Sequence, residues 1–192
     1  MGKRLRYQVA ASLDGFIAGP DGSYDWIVMD PAIDFGALYG EFDTAVMGRK
    51  TYEAGLAMGG NLAMPGIEII VFSRTLRAST TKGLRIVNDP PARVVAELKK
   101  QKGRDIWLFG GGELFRTLLD AGLVDTVEIA VMPVLLGSGI PLLPAGHSAN
   151  LTLVDLKRLP ASGIVVLAYS VEQSKARPPR IRYVQSSRGK AG

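Results

Sequence analysis

The sequence predicts an α/β fold with a mainly parallel central sheet, helices flanking it, and an antiparallel hairpin near the C-terminus. Three observations carry that expectation. Apolar runs of strand length alternate with helical patterns through residue 122, an order that calls for parallel strands joined by crossover helices. Beyond residue 126 the strands follow one another directly, which adds an antiparallel edge. The third is Asp105–Phe109, an apolar run that feeds Gly110-Gly111-Gly112 and opens at once into helical spacing, with Leu114, Phe115, Leu118 and Leu119 on one face.

Taken in order, Leu5–Ser12 reads as a first strand that ends at the turn pair Asp14-Gly15. A Gly/Pro/Asp-rich loop, Ala18–Ser23, leads to Tyr24-Asp25-Trp26, and Ile33–Gly40 has the spacing of a short helix. Thr44–Met47 is a buried strand, and Gly48-Arg49-Lys50-Thr51 opens a helix carrying Tyr52 and Leu56. Gly59-Gly60 and Pro65-Gly66 mark a loop before the strongly apolar strand Ile67–Phe72, which ends at Ser73-Arg74-Thr75. Leu84–Val87 is a short strand. Asp89 before Pro90-Pro91 predicts an N-cap with proline in the first turn of a helix reaching about Lys102.

After the glycine turn, the helix from Glu113 to Leu119 should stop at Gly122. Thr126–Pro133 alternates, with Val127, Ile129 and Val131 on one face and Glu128 on the other. Leu151–Leu159 and Ile164–Glu172 are long strands joined through Pro160–Gly163 as a hairpin. The expected organisation is one domain over residues 1–173 and a basic tail over 174–192, in which Ile181–Val184 could add a short edge strand.

Three strand ends carry groups suited to phosphate: Gly48-Arg49-Lys50-Thr51, Ser73-Arg74-Thr75 and Gly110–Gly112. In an open parallel sheet ligands gather at the carboxyl ends of the strands, so one edge should bring all three together. Glycines followed by a helix N-terminus leave backbone N–H groups aimed at an anion, and arginine can bond two phosphate oxygens at once. Each segment alone also reads as an ordinary turn or a solvated first turn. The spacing is not that of the G-x-G-x-x-G dinucleotide fingerprint, and the turn comes late in the chain.

Met47-Gly-Arg-Lys-Thr-Tyr52, Ser73-Arg-Thr75 and Leu108-Phe-Gly-Gly-Gly112, in that order, resemble dihydrofolate reductase. Closer is the resemblance to the reductase half of the bifunctional riboflavin-pathway deaminase–reductase. Ser12-Leu-Asp-Gly15 is similar to that group's opening motif, and Pro133-Val-Leu-Leu-Gly-Ser-Gly-Ile-Pro-Leu-Leu143 to its late signature. The resemblance implies a dihydrofolate-reductase-like fold, NADPH as cofactor, and hydride transfer to a C=N or C=O carbon. It implies that Gly48, Arg49 and Thr51 meet the cofactor's phosphates, with Ser73 and Arg74 at its 2′-phosphate end. Gly110, Gly111, Gly112, Glu113 and Leu114 would hold the pyrophosphate and nicotinamide side. Ala10, Ala11 and the loop from Asp14 to Trp26 would border nicotinamide and substrate. The favoured substrate class is a pyrimidine with an aminoribose arm; the alternatives are a pterin, or cofactor binding without turnover. The zinc-binding deaminase half has no counterpart here. The acid that dihydrofolate reductases carry on their first helix would fall at Ala32, with Asp30 and Asp34 beside it.

Composition narrows the chemistry further. The chain has no cysteine and one histidine, which removes thiolate metal sites and Cys–His or Ser–His pairs, apart from whatever His147 could do alone. Net charge is +5, yet Lys175, Arg177, Arg180, Arg182, Arg188 and Lys190 all lie in the tail; without them residues 1–173 stand at −1. A near-neutral body argues against nucleic acid as partner. No apolar run has membrane-spanning length, so the expected protein is cytoplasmic, with a small-molecule substrate and the homodimer left open. Asp14 and Asp34 are the candidate working carboxylates. Asp14 ends the first strand, but an Asp-Gly pair also makes turns by bonding its own backbone. Asp34 is equally suited to capping a helix. Trp26 could floor a planar substrate or simply pack. His147 reads as an exposed loop residue, and Glu113 in a first helical turn already suits the dipole.

Overall fold

The computed structural model describes residues 2–57, 62 and 64–172. The Gly59-Gly60 pair, the expected tail over 174–192 and the candidate strand Ile181–Val184 lie outside the described residues. Among the described residues ten strands and four helices follow in the order β1 (Leu5–Ser12), β2 (Phe16–Ala18), α1 (Phe35–Gly40), β3 (Phe42–Gly48), α2 (Arg49–Ala57), β4 (Glu68–Phe72), β5 (Leu84–Val87), α3 (Pro91–Lys100), β6 (Asp105–Gly110), α4 (Gly112–Asp120), β7 (Thr126–Met132), β8 (Ile140–Pro141), β9 (Leu151–Leu159) and β10 (Ile164–Val171).

Eight of the strands form one sheet in the order β5-β4-β3-β6-β1-β7-β10-β9. β5, β4, β3, β6, β1 and β7 are parallel, and β10 runs antiparallel to both β7 and β9. The fold is thus the mainly parallel, helix-flanked sheet with an antiparallel C-terminal hairpin that the sequence predicts. Strand pleating explains the two cores. Leu5 and Tyr7 point to one face and, with Val46, Ile70, Ile106, Leu108 and Val127, bury against α3 and α4. Tyr7 stacks on Phe115 of α4 at 3.8 Å between ring centroids. On the opposite face Phe42, Ala45 and Trp107 pack with Leu38 and Tyr39 of α1, and Met47, Ile69 and Val71 pack with Tyr52 of α2.

Several local expectations are corrected. Asp89 does not cap α3; Pro90 is the N-cap and makes no side-chain bond, while the Asp89 carboxylate pairs with Arg93 one turn on. Helix α3 ends at Lys100, two residues early, and α1 begins at Phe35 because Asp34 caps it through the Ala37 N–H at 2.9 Å. Gly122, at φ +66, does end α4. Its N–H bonds Leu119 C=O and the Leu123 N–H bonds Leu118 C=O, both at 3.0 Å, which closes the helix in a Schellman motif. β2 and β8 form a separate two-stranded sheet that no periodicity announces.

Glu128 is buried, and so is the cation it faces. Arg6 on β1 gives Glu128 on β7 two parallel bonds of 2.7 Å, approaches Asp105 on β6 at 3.6 Å, pairs with Glu41, and lies over the Phe42 ring at 4.8 Å. Burial pulls the Arg6 pKa down, but the hydrogen bonds it donates to Glu128 and Glu41 outweigh it, and the net direction is upward. The group stays charged. Removing one member of such a pair strands the other in low dielectric, whereas removing both removes the problem. Arg6→Met should therefore destabilise the fold by about 3–5 kcal/mol, and Arg6→Met/Glu128→Leu should recover most of that. Urea denaturation of both variants checks it; a double variant no more stable than the single one would contradict the pairing account.

Candidate active site

The site lies where β1 loses a neighbour. β1 pairs with β6 only from Leu5 to Tyr7, but with β7 from Arg6 to Ser12. Past Tyr7 the β6 chain leaves the ladder at Gly110 and turns into α4, so Val9–Ser12 pair with β7 on one side and, among the described residues, with no strand on the other, a split between β1 and β6 that forms the crevice of the sheet. That split, at the carboxyl ends of parallel strands, is the switch point where open α/β sheets bind ligands.

Strand register sets the order of groups along this edge. Phe72 pairs with Gly48, and Met47 with Gly110. Ser73-Arg74, Gly48-Arg49 and Gly110-Gly111 therefore stand side by side, as the motif spacing predicts. Each of the three glycines has its own cause. A Cβ on Gly110 would come within 3.2 Å of Thr51 Cγ2, so the turn and the first turn of α2 are in contact. Gly111 has φ +94, which a side chain resists, and a Cβ there would lie 3.3 Å from Thr51 Oγ1. A Cβ on Gly112 would lie 2.8 Å from the Pro141 carbonyl oxygen, so this glycine serves packing of the 141–144 segment.

Helix α4 begins with Gly111 as N-cap and no side-chain cap bond, which leaves its first N–H groups without a side-chain acceptor. Nine residues long and carrying the positive end of its dipole toward the glycines, it suits an anion. Together, the uncapped N-terminus, the positive φ at Gly111 and the neighbouring Thr51 fit a pyrophosphate group. Glu113 is exposed in that first turn, and the Leu114 side chain goes into the core, so only its backbone is available to a ligand. Ala11 is likewise buried and borders the crevice through its backbone.

The two arginines differ. Arg49 Nη1 binds the Glu53 carboxylate at 2.8 Å one turn along α2, a half-exposed pair that an incoming phosphate must outcompete. Arg74 is exposed. Beneath it, buried Ser73 accepts the Thr75 and Leu76 N–H groups at 3.1 and 2.9 Å, which holds the turn that presents Arg74.

Neither candidate carboxylate is a spare proton donor. Asp14 accepts the Leu136 N–H at 3.1 Å and the Gly137 N–H at 2.7 Å, clasping the turn after β1 to the 135–139 loop. A hydrogen bond from the Ser12 hydroxyl, followed by these backbone N–H groups, holds its pKa down at about 2. It is an ionised acceptor at neutral pH. The same two segments are joined by Leu142 N–H to Gly15 C=O at 2.9 Å and by the β2–β8 pairing. Asp34 is exposed and spent on the α1 cap. Trp26 is half-buried and packs on the cluster of Met132, Leu159 and Ile164, its Nε1 donating to Ser23 C=O at 3.2 Å.

Residues the sequence did not single out complete the site. Buried Asp30 accepts the Ala32 N–H at 2.8 Å and the Ser162 N–H at 3.0 Å, fastening the 24–34 loop to the β9–β10 hairpin. Its pKa is lowered, first by the Ser162 hydroxyl. Gln8, on the same face of β1 as Ala10, donates Nε2 to Glu128 at 3.2 Å, which orients the amide and leaves Oε1 shielded from solvent without a partner. A polar residue in mid-strand was the available signal.

Comparison with known proteins finds relatives of the same fold. The family described as RibD C-terminal domain matches residues 3–166. The Bacillus subtilis (strain 168) protein YyaP is 34% identical over 179 residues, covering 87% of this chain and 94% of its own. YwjB of the same strain is 32% identical over 145 residues, with 74% and 83% covered; both are described only as uncharacterized. Among solved structures, a putative riboflavin biosynthesis protein from Shewanella sp. PV-4 matches with a TM-score of 0.76 at 25% identity, over 90% of this chain and 99% of that one. A pyrimidine reductase-like protein from Corynebacterium diphtheriae gives 0.67 at 15% identity, over 90% and 93%. A deaminase/reductase from Thermotoga maritima gives 0.68 at 13% identity, and this chain spans 88% of itself but 57% of that larger protein.

The clasp has a definite pH dependence. Asp14 sits at about 2 in the folded chain, below the roughly 3.9 of a free aspartate. A depressed pKa means its contribution is complete above about pH 4 and lost as pH falls toward 2. The Leu136 and Gly137 amide proton shifts should stay flat from about pH 7 to pH 4, and Asp14→Ala should make the 135–144 segment sensitive to limited proteolysis at neutral pH. A titration midpoint near 4 in those amides would refute the clasp.

Proposed function

This chain belongs to the RibD C-terminal domain family, and on that premise we propose that it is an NADPH-dependent reductase of a pyrimidine carrying an aminoribose arm. A substrate of the 5-amino-6-(5-phosphoribosylamino)uracil type, named for the Thermotoga relative, is the favoured one. The observation that carries the reading is the crevice between Val9–Ser12 and Gly110–Gly112, flanked along the same edge by Thr51, Arg49 and Arg74. It joins a glycine turn and helix N-terminus suited to an anion to the split beside β1 within one sheet edge.

When bound, the reduced nicotinamide would supply a hydride to a C=N or C=O carbon of the opened sugar arm, with one proton needed to balance the transfer. The chain's own work is binding and orientation. Gly110–Gly112 and the α4 N-terminus take the pyrophosphate, and Arg74, with Arg49 once released from Glu53, takes the 2′-phosphate. Asp14, ionised and still exposed, has lone pairs left to accept a sugar hydroxyl, and Trp26 walls the cleft. The Gln8 carbonyl can accept an N–H from a pyrimidine amino group, because its own amide nitrogen is already committed to Glu128.

A pterin is the weaker candidate for a physical reason. Easy hydride transfer to a pterin needs ring protonation by a well-placed acid. Here Asp30 is bonded to two backbone N–H groups and Asp34 is an exposed helix cap.

Two outcomes are expected. Arg74→Ala should weaken NADPH by about ten- to a hundredfold, the worth of a charge-assisted bond of roughly 1.5–3 kcal/mol, while NADH affinity stays unchanged. Calorimetric titration of both cofactors decides it, and equal losses would remove Arg74 from the 2′-phosphate. In steady-state assays the aminopyrimidine ribosyl phosphate should be turned over with a higher kcat/KM than dihydrofolate, and Gln8→Leu should raise its KM with kcat little changed. A preference for dihydrofolate would overturn the substrate assignment.

A further inference from the structure

The split between β1 and β6 falls where two irregularities meet. At the start of the ladder the donors of β6 alternate in direction. Asp105 N–H bonds Glu41 C=O toward β3 at 3.2 Å, and Ile106 N–H bonds Arg4 C=O toward β1 at 2.8 Å. Leu5 C=O is taken on the other side by Asp125 N–H, so the even-numbered carbonyls of β1 face β6. An unbroken ladder would go on to bring Gly110 N–H to Gln8 C=O. Pairing stops instead at Tyr7 and Leu108. On its other side β6 pairs Leu108 with Val46 and Gly110 with Met47, so Phe109 is the extra residue of a bulge. The bulge commits Gly110 to β3, and Gln8 C=O goes without the donor that the ladder would have brought.

That acceptor is met by a side chain. Trp107 Nε1 donates to Gln8 C=O at 3.1 Å. The Trp107 residue is only 6% exposed, and its indole is held among other rings. It stacks on Phe42 at 5.2 Å, tilts against Tyr39 at 6.0 Å and meets the bulged Phe109 edge-on at 5.0 Å between centroids. Any buried indole N–H needs an acceptor. This one takes the carbonyl of the first β1 residue beyond the ladder, and it does so from the strand that is turning away.

We infer that Trp107 is a positioning residue for the cofactor edge. Its N–H replaces the missing rung and its ring props the Phe109 bulge, and together these keep the glycine turn on the β3 side of the split. The same bond fixes the Gln8 peptide, from which β1 continues into Val9–Ser12 beside the site. Without the N–H a buried acceptor is left unsatisfied, and the nearest remedy in the ladder is one more rung, Gly110 N–H to Gln8 C=O. That rung would undo the bulge and draw Gly110 out of line with Met47 and Thr51. The effect on binding rests on the reading of this edge as a cofactor site; the effect on the strands does not.

The test removes the N–H and keeps the ring. Benzothienylalanine at position 107 has nearly the shape of tryptophan, with sulfur in place of the indole N–H. A crystal structure of this cofactor-free variant should show β1–β6 pairing extended to Gln8, with Gly110 N–H on its carbonyl. Calorimetry should show NADPH bound about tenfold more weakly than by the wild type. Trp107→Phe should give the same two results at a further cost in stability, and it serves where the first variant does not fold. Leu98→Ala opens a cavity under α3 on the opposite face of the sheet, so it should lower stability in urea and leave NADPH affinity unchanged. A Trp107 variant whose β1–β6 pairing still ends at Tyr7 overturns the proposal, as does one that binds NADPH as tightly as a wild type that binds it. Equal loss of affinity in Leu98→Ala would reduce the effect to stability, and the positioning role falls. If the wild type binds no NADPH, the cofactor reading fails, and the strand pairing alone decides the role of Trp107.

Discussion

A strand in a parallel sheet keeps its neighbour only while both chains run on, and β1 is deprived of one neighbour halfway along. It stays in place because the other half of its surroundings is overdetermined. β7 pairs with its whole outer length, and the Arg6 guanidinium is fixed by Glu128 with Asp105 and Glu41 nearby. Fixing the lower half of β1 to β6 and β7 together holds the upper half in register with β7 alone. A buried charge network is an expensive way to hold strands, but it is directional where leucines are not. It sits on the face of α1, opposite the Tyr7–Phe115 stack, so the strand is gripped from both sides.

The loops over the crevice inherit their position from that strand. Ser12 ends it and Asp14 follows in the turn, and Asp14 pins the 135–139 loop, which continues into β8 and the 141–144 segment resting on Gly112. Asp30 does the same on the other side, tying the 24–34 loop to the hairpin between β9 and β10. In both cases the carboxylate serves backbone N–H groups, and Asp14 is one that reads in sequence as a candidate for proton chemistry. A loop aspartate has many backbone donors within reach, and satisfying them lowers its pKa, which works against donating a proton.

How much could be read beforehand follows the range of the interactions. β1, β5, β9 and the Gly122 helix stop match the sequence reading because alternation and a φ-positive glycine are local signals. The common edge of Gly48, Ser73 and Gly110 was legible because parallel topology alone puts strand ends together. The missing cap at Asp89 was not legible. Both an N-cap and an i,i+4 partner for Arg93 satisfy an aspartate there, and only the backbone turn at Pro90 decides. β2 and β8 are three and two residues long and owe their pairing to each other. Glu128 stood in plain alternation, but nothing local says that its face is closed by α1 and that a cation waits on a strand so distant in the chain.

That distance shapes how the chain must be made. The Leu5 N–H bonds the Asp125 carboxylate, 120 residues later, and the central strand is also the first. During synthesis at roughly 5–20 residues per second, β1 waits on the order of ten seconds before β7 exists to receive it. Through that interval its apolar face and both its backbone edges have no native partner, since β6 too is still to come. The strand on which the crevice depends is therefore the one that a ribosome-bound chaperone has most reason to shield.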